Sequence, residues 1–167
     1  MSDSTTSSAM TRLKRTQFIP FIDTSDGFDP SGAVWRRLDY STIFNLNANA
    51  QTQTTDYICF ENPVVEIERY QPEMEQEIAV YEGNYIYDYM FERFYRLSAG
   101  EAAEAMVLLC FGGSGAKAWL ARRATLELKN LNPVEGRLTF VIHFSGDIER
   151  GTFARGDNGM PVFTPEA

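Results

Sequence analysis

Two stretches of period-two alternation, residues 64–81 and 118–144, constrain the fold most, because side chains alternating between apolar and polar bury one face only as β-strands. In the first, Val65 and Ile67 share one side and Glu66 and Glu68 the other. Beyond Gln71-Pro72, Met74, Ile78 and Val80 share a side opposite Glu75 and Glu77. The Gln71-Pro72 step reads as a turn, so a hairpin with an oily face and an acidic face is expected. In the second stretch Leu126 and Leu128 alternate with Thr125, Glu127 and Lys129. Residues 130–136 carry turn chemistry, and Leu138, Phe140, Ile142 and Phe144 then alternate with Arg137, Thr139, Val141 and His143, giving a second long hairpin. Carboxylates side by side on one face repel. A face carrying Glu66, Glu68, Glu75 and Glu77 therefore meets water or has another use.

Between these stretches the period changes. Ile86, Met90, Phe94 and Leu97 recur at helical spacing beside a stripe of Tyr87, Phe91 and Tyr95, predicting one amphipathic helix over about 84–98, capped by Asn84. Met106 to Phe111 is a short apolar run closed by Gly112-Gly113-Ser114-Gly115. Strands are also expected at Val34-Trp35-Arg36-Arg37-Leu38 and at Tyr57-Ile58-Cys59-Phe60, with Cys59 and Cys110 as buried filler thiols. The polar residues 45–56 read as an exposed loop. Residues 1–16 have too little apolar content to order themselves and are expected to be a disordered leader. Residues 17–32 hold Phe18-Ile19-Pro20-Phe21-Ile22 between turn-rich segments and read as an arm that docks on its own domain or on a neighbour's. Residues 33–146 form the β-rich domain, and residues 147–167, rich in Gly, Asp and Pro, a C-terminal arm or loop.

The residues offer little chemistry. His143 is the single histidine, in an alternating strand without clustered partners, and no Cys or His spacing suits zinc. The Gly112–Lys117 segment fails as a phosphate loop, because Ala116 stands where glycine should precede the lysine and Ala118 where Ser or Thr should follow it. No calcium loop is present in residues 146–159. No catalysis, metal or cofactor is expected. A formal net charge of -8 argues against a protein that grips nucleic acid, since such binding needs clustered Lys and Arg. No apolar run reaches the length of a membrane span.

The order of elements resembles the major tail tube proteins of long-tailed, non-contractile bacteriophages. The likeness runs from about Trp35 to Phe163 and is carried by Asp56-Tyr57-Ile58, Glu66-Ile67-Glu68-Arg69-Tyr70-Gln71-Pro72-Glu73-Met74, Tyr81-Glu82-Gly83-Asn84, Asn132-Pro133-Val134-Glu135-Gly136 and Gly146-Asp147-Ile148-Glu149-Arg150-Gly151. The resemblance implies a mainly β fold with one α-helix, a sandwich or barrel with long hairpins and extended terminal arms. It implies rings, six subunits each, stacked into a tube through which DNA leaves without specific binding. The partners would be copies of the chain itself and other tail proteins such as the tape measure, terminator and distal tail proteins. The place would be the virion tail, assembled in the host cytoplasm.

On that reading Glu66, Glu68, Glu75 and Glu77 line the lumen, with Arg137, Thr139, Val141 and His143 a competing inward face. Phe18, Ile19, Phe21, Ile22, Asn47, Asn49, Gln51 and Gln53 would make contacts between subunits or rings. Two alternatives stay open: another ring-forming tail or secretion-tube component, such as a terminator, and a monomeric β-barrel holding a small ligand.

Overall fold

The apolar run that closes on the glycines lies at the centre of the molecule as β7 (Glu104–Cys110). The computed structural model describes residues 12–14, 17–18, 20–25, 27–39, 41–42, 45–113, 115–156 and 159–166. Most of the expected leader, 1–11 and 15–16, lies outside the described residues. Every residue of β7 after Glu104 is buried, and its two faces feed two cores. Ala105, Val107 and Leu109 join Ile22, Met74, Ile78, Leu126, Leu138, Phe140 and Ile142. Met106, Leu108 and Cys110 join Phe21, Trp35, Leu120 and Phe153. A strand covered on both sides needs no alternation, which is why this one is continuous in apolar character.

The other strands are β1 (Pro20–Asp23), β2 (Trp35–Arg37), β3 (Asn45–Asn47), β4 (Ala50–Thr55), β5 (Val64–Tyr70), β6 (Glu73–Ala79), β8 (Lys117–Asn132), β9 (Arg137–His143), β10 (Ile148–Arg155) and β11 (Pro161–Pro165), with helix α1 (Tyr85–Tyr95) between β6 and β7. Among the described residues the fold is thus mainly β with one α-helix, and the pairings are antiparallel. The main sheet runs β2-β1-β7-β8-β9-β6-β3. At 16 residues β8 is long enough to serve two wings. With β7 along one edge, its first half pairs with β10 and its second half with β9 along the other. One wing continues to β6 and β3, the other to β11.

Residues 64–81 depart from the expected hairpin. β5 and β6 are consecutive but do not pair with each other: β5 pairs with β4 in a separate two-stranded sheet, and β6 lies between β9 and β3. The hairpin is instead formed by residues 45–55 against 64–75, folded at 56–63, and only its base belongs to the main sheet. Gln71 N–H donates to the carbonyls of Ala48 and Asn49 at the joint, where Asn49 takes a left-handed φ of 48°. The residues read as a polar loop, 45–56, are therefore mostly strand.

Helix α1 starts where Asn84 predicts, its side chain accepting from Ile86 N–H at 3.1 Å. It buries Ile86 and Met90 against the first core. Leu97, expected on the buried stripe, is exposed instead: it occupies the left-handed position past the helix end (φ 50°), with Ser98 N–H donating back to Arg93 O. The buried Arg93 guanidinium donates to the carbonyls of Ala102 and Glu104 and to the Tyr89 hydroxyl, tying the helix to the entry of β7.

From the two segments expected as arms, β1 and the β10–β11 hairpin are built into the sheet. β1 sits between β2 and β7, and the residues expected as a C-terminal arm or loop form the β10–β11 hairpin, with Phe153 buried in the second core. Gly151 permits this hairpin: a Cβ there would stand 2.0 Å from the Thr164 carbonyl oxygen.

Candidate assembly surfaces

Two surfaces on which no described element packs stand out: the outer face of the β6–β9–β8 wing and the arm made by β4 and β5.

The outer face follows from register. Glu73 stands opposite His143, Glu75 opposite Val141, Glu77 opposite Thr139 and Ala79 opposite Arg137, while Glu127 on β8 stands opposite Val141. Directly opposed residues share a sheet face. The glutamate row and the Arg137, Thr139, Val141, His143 row, set against each other by the sequence as rival faces, are therefore one face. Its repulsion is relieved locally. Arg137 lies 3.5 Å from Glu77, Lys129 3.1 Å from Glu127, and His143 holds Glu127 through Nε2 at 2.7 Å and approaches Glu73 through Nδ1 at 3.6 Å. The hydrogen bonds from His143 and then Lys129 hold the Glu127 carboxyl below its ordinary range. The four expected lumen glutamates are divided: Glu75 and Glu77 belong to this face, Glu66 and Glu68 to the arm.

The arm is a ribbon with no core. On β5 only Val64 is even half-covered, and Val65 and Ile67, read as an oily face, are exposed. In β4, Thr and Gln make a strand that is wet on both sides, for which Thr52, Thr54 and Thr55 have the right β-branched form. Tyr57-Ile58-Cys59-Phe60 is a turn at the tip rather than a strand, closed by Phe60 N–H donating to Tyr57 O. The rings of Tyr57 and Phe60 meet edge to face at 6.3 Å, and Ile58 is 107% exposed. Of the expected contact residues, Asn47 lies on β3 at the base, Asn49 at the joint, and Gln51 and Gln53 on β4. Asn49 Nδ2 donates to Gln71 O and Gln51 Nε2 to Asn49 O, so these amides also stiffen the arm.

The apolar N-terminal residues are placed differently. Phe21 and Ile22 are buried in their own subunit's cores, Phe18 is half-buried and Ile19 lies outside the described residues. Phe21 and Ile22 reach those two cores from β1, which pairs along the edge of β7 with Phe21 opposite Leu108 and Ile22 opposite Val107.

The cysteines also separate. Cys110 is buried, and burial pushes its thiol up to about 12. Cys59, expected as core filler, is exposed at the arm's tip. Alkylation of the native protein at mildly alkaline pH should therefore label Cys59 alone, with Cys110 reacting only after denaturation; mass analysis of the labelled peptides reads the outcome.

Among the described residues no group of three or more His, Cys, Asp or Glu side chains is placed to hold a metal, and no helix is long and apolar enough to cross a membrane. No family model matches the chain, and no curated protein matches it. Solved structures do. The sheath/tube terminator of PVC, an extracellular contractile injection system, in the extended state matches at TM-score 0.54 and 7% identity, over 87% of this chain and 100% of that one. A chain of the PVC sheath-tube complex matches at 0.48 and 8% identity over 91% and 99%, and one from the anti-feeding prophage baseplate at 0.47 and 10% over 85% and 97%. At these identities the likeness is one of fold: this chain shares the architecture of the terminator subunit.

Proposed function

We propose that this chain is a self-assembling structural subunit of a tail-type tube and performs no catalysis. The observation that carries the reading is the arm. A β-ribbon exposed on both faces and ending in Tyr57, Ile58 and Phe60 gains nothing within its own subunit, and as an isolated two-stranded sheet it is of marginal stability. Contact with a neighbouring copy gives it both order and burial. The fold shared with a tube terminator supports the same reading.

In a ring, the β6–β9–β8 face bearing Glu73, Glu75, Glu77 and Glu127 is the proposed lumen surface. Four carboxylates against two permanent cations, Arg137 and Lys129, leave it mildly acidic, so DNA passes without being held. Glu66 and Glu68 on the arm belong to contacts between subunits. The partners are further copies of this chain and, at the ends of the tube, other tail proteins; the particle is a phage tail or a related injection device.

A second reading, a terminator that closes a tube, is favoured by the match over the full length of the terminator subunit. Electron microscopy of the purified protein separates the two. Rings that stack into tubes identify the tube subunit, single rings that do not stack identify the terminator, and a monomer at all concentrations removes both.

A further inference from the structure

The arm continues the main sheet in register and yet leaves it. Asn47 on β3 stands opposite Glu73 on β6, and Ala50 on β4 stands opposite Tyr70 on β5. Between these rungs lie Ala48 and Asn49 on one strand and Gln71 and Pro72 on the other. Pro72 closes the domain's side of this joint. Its carbonyl accepts from Phe144 N–H at 3.0 Å, and with no N–H of its own it cannot return that bond to the β9 side. Beyond it, among the described strands, β5 pairs with β4 alone.

Asn49 makes the other half of the joint. In a regular antiparallel ladder two opposed residues exchange two backbone bonds. Here Gln71 N–H is shared between Ala48 O at 3.1 Å and Asn49 O at 3.2 Å, and the bond back to Gln71 O comes from the Asn49 side chain, Nδ2 donating at 3.2 Å. Gln51 Nε2 donates to Asn49 O at 3.2 Å from the ribbon side. The backbone of Asn49 is left-handed, φ 48°, a conformation that asparagine tolerates and a β-branched residue resists. One left-handed residue in an extended strand turns the chain, and the bonds from Gln51, Gln71 and its own side chain hold it there.

We infer that Asn49 is the positioning residue of the arm: its left-handed backbone, fixed by the bond from its side chain to Gln71 O, sets the angle at which the β4–β5 ribbon leaves the domain. The inference deepens the reading of the arm as the contact between copies, on which its consequence for assembly rests. It moves Asn49 from the contacts themselves to the joint that aims them. Leverage makes one residue matter. The six residues of β4 reach about 20 Å at roughly 3.3 Å each, so a change of about 20° at the joint moves the tip by about 7 Å, more than a side-chain contact spans.

The angle is a property of the monomer and can be read without assembly. Spin labels on the exposed Cys59 and on Val134→Cys, exposed in the β8–β9 turn, report the distance from tip to domain by pulsed electron resonance on dilute protein, while the buried Cys110 stays unlabelled. Asn49→Val should shift the mean distance by about 5 Å or more. It should also raise the threshold concentration for assembly by about tenfold or more. Asn49→Gly, which keeps the left-handed backbone and loses the side-chain bond, should hold the mean and broaden the distribution. Circular dichroism checks that each variant is folded, and if Asn49→Val does not fold, the broadening in Asn49→Gly carries the test. An unchanged mean in folded Asn49→Val, or an unbroadened distribution in Asn49→Gly, overturns Asn49 as the positioning residue whatever assembly does. A shifted distance with an unchanged assembly threshold keeps that role and overturns the arm as the contact between copies.

Discussion

Replacing residues 51–69 with Asn-Gly, so that Ala50 and Tyr70 are joined by a two-residue turn, should leave the domain folded and abolish its assembly. The two positions are already paired, and Asn-Gly supplies the left-handed conformations that a tight hairpin turn requires. None of the removed residues belongs to either buried core, so the thermal midpoint of the shortened monomer should match that of the intact monomer. Assembly should respond oppositely. Buried aromatic anchors dominate contacts between proteins, and losing Tyr57 and Phe60 at the tip should cost at least about 3 kcal/mol per contact, roughly a hundredfold in association. Sedimentation read beside electron microscopy tests it. A shortened chain that still forms rings at the original threshold would show that the arm is not the assembly element.

Why the arm is hard to see in the sequence is a physical matter. Strands declare themselves through burial: Leu138, Phe140 and Ile142 in β9 alternate because one side of β9 faces a core, and that hairpin is legible residue by residue. β4 faces no core, so Gln51, Thr52, Gln53 and Thr54 carry no period and resemble a loop. The opposite error occurs at the tip, where Tyr57-Ile58-Cys59-Phe60 imitates a buried strand because sequence records apolarity and not where it is spent. Cross-strand register is likewise absent from single strands. Glu75 and Val141 become neighbours only when β6 and β9 pair, so one charged face reads as two rivals. Within the C-terminal hairpin, Gly151 is a legible mark of close backbone approach, but Gly and Pro elsewhere in that segment drown it. The helix was open to prediction through Asn84, Ile86 and Met90, whereas the exposure of Leu97 follows from its left-handed backbone.

The second large effect falls inside the domain. Phe140→Ala should destabilise the subunit by about 3–5 kcal/mol, a large share of the roughly 5–15 kcal/mol that holds a domain of this size folded. Phe140 is fully buried on β9, between Gln76 on β6 and Leu128 on β8. Truncation opens a void that paired strands on both sides cannot close, because moving either would break its ladder. The loss should appear as a lower urea midpoint with an unchanged slope, measured on dilute monomer. Ile67→Ser on the exposed arm is the paired control and should change the unfolding free energy by less than about 0.5 kcal/mol. The two substitutions should exchange rank in the assembly assay at a temperature where both monomers stay folded: Ile67→Ser alters the surface proposed for contact with neighbours, whereas Phe140 is fully buried. A fall in stability for Ile67→Ser comparable to that of Phe140→Ala would mean that the arm packs on its own domain, and the separation of core from assembly surface would fail.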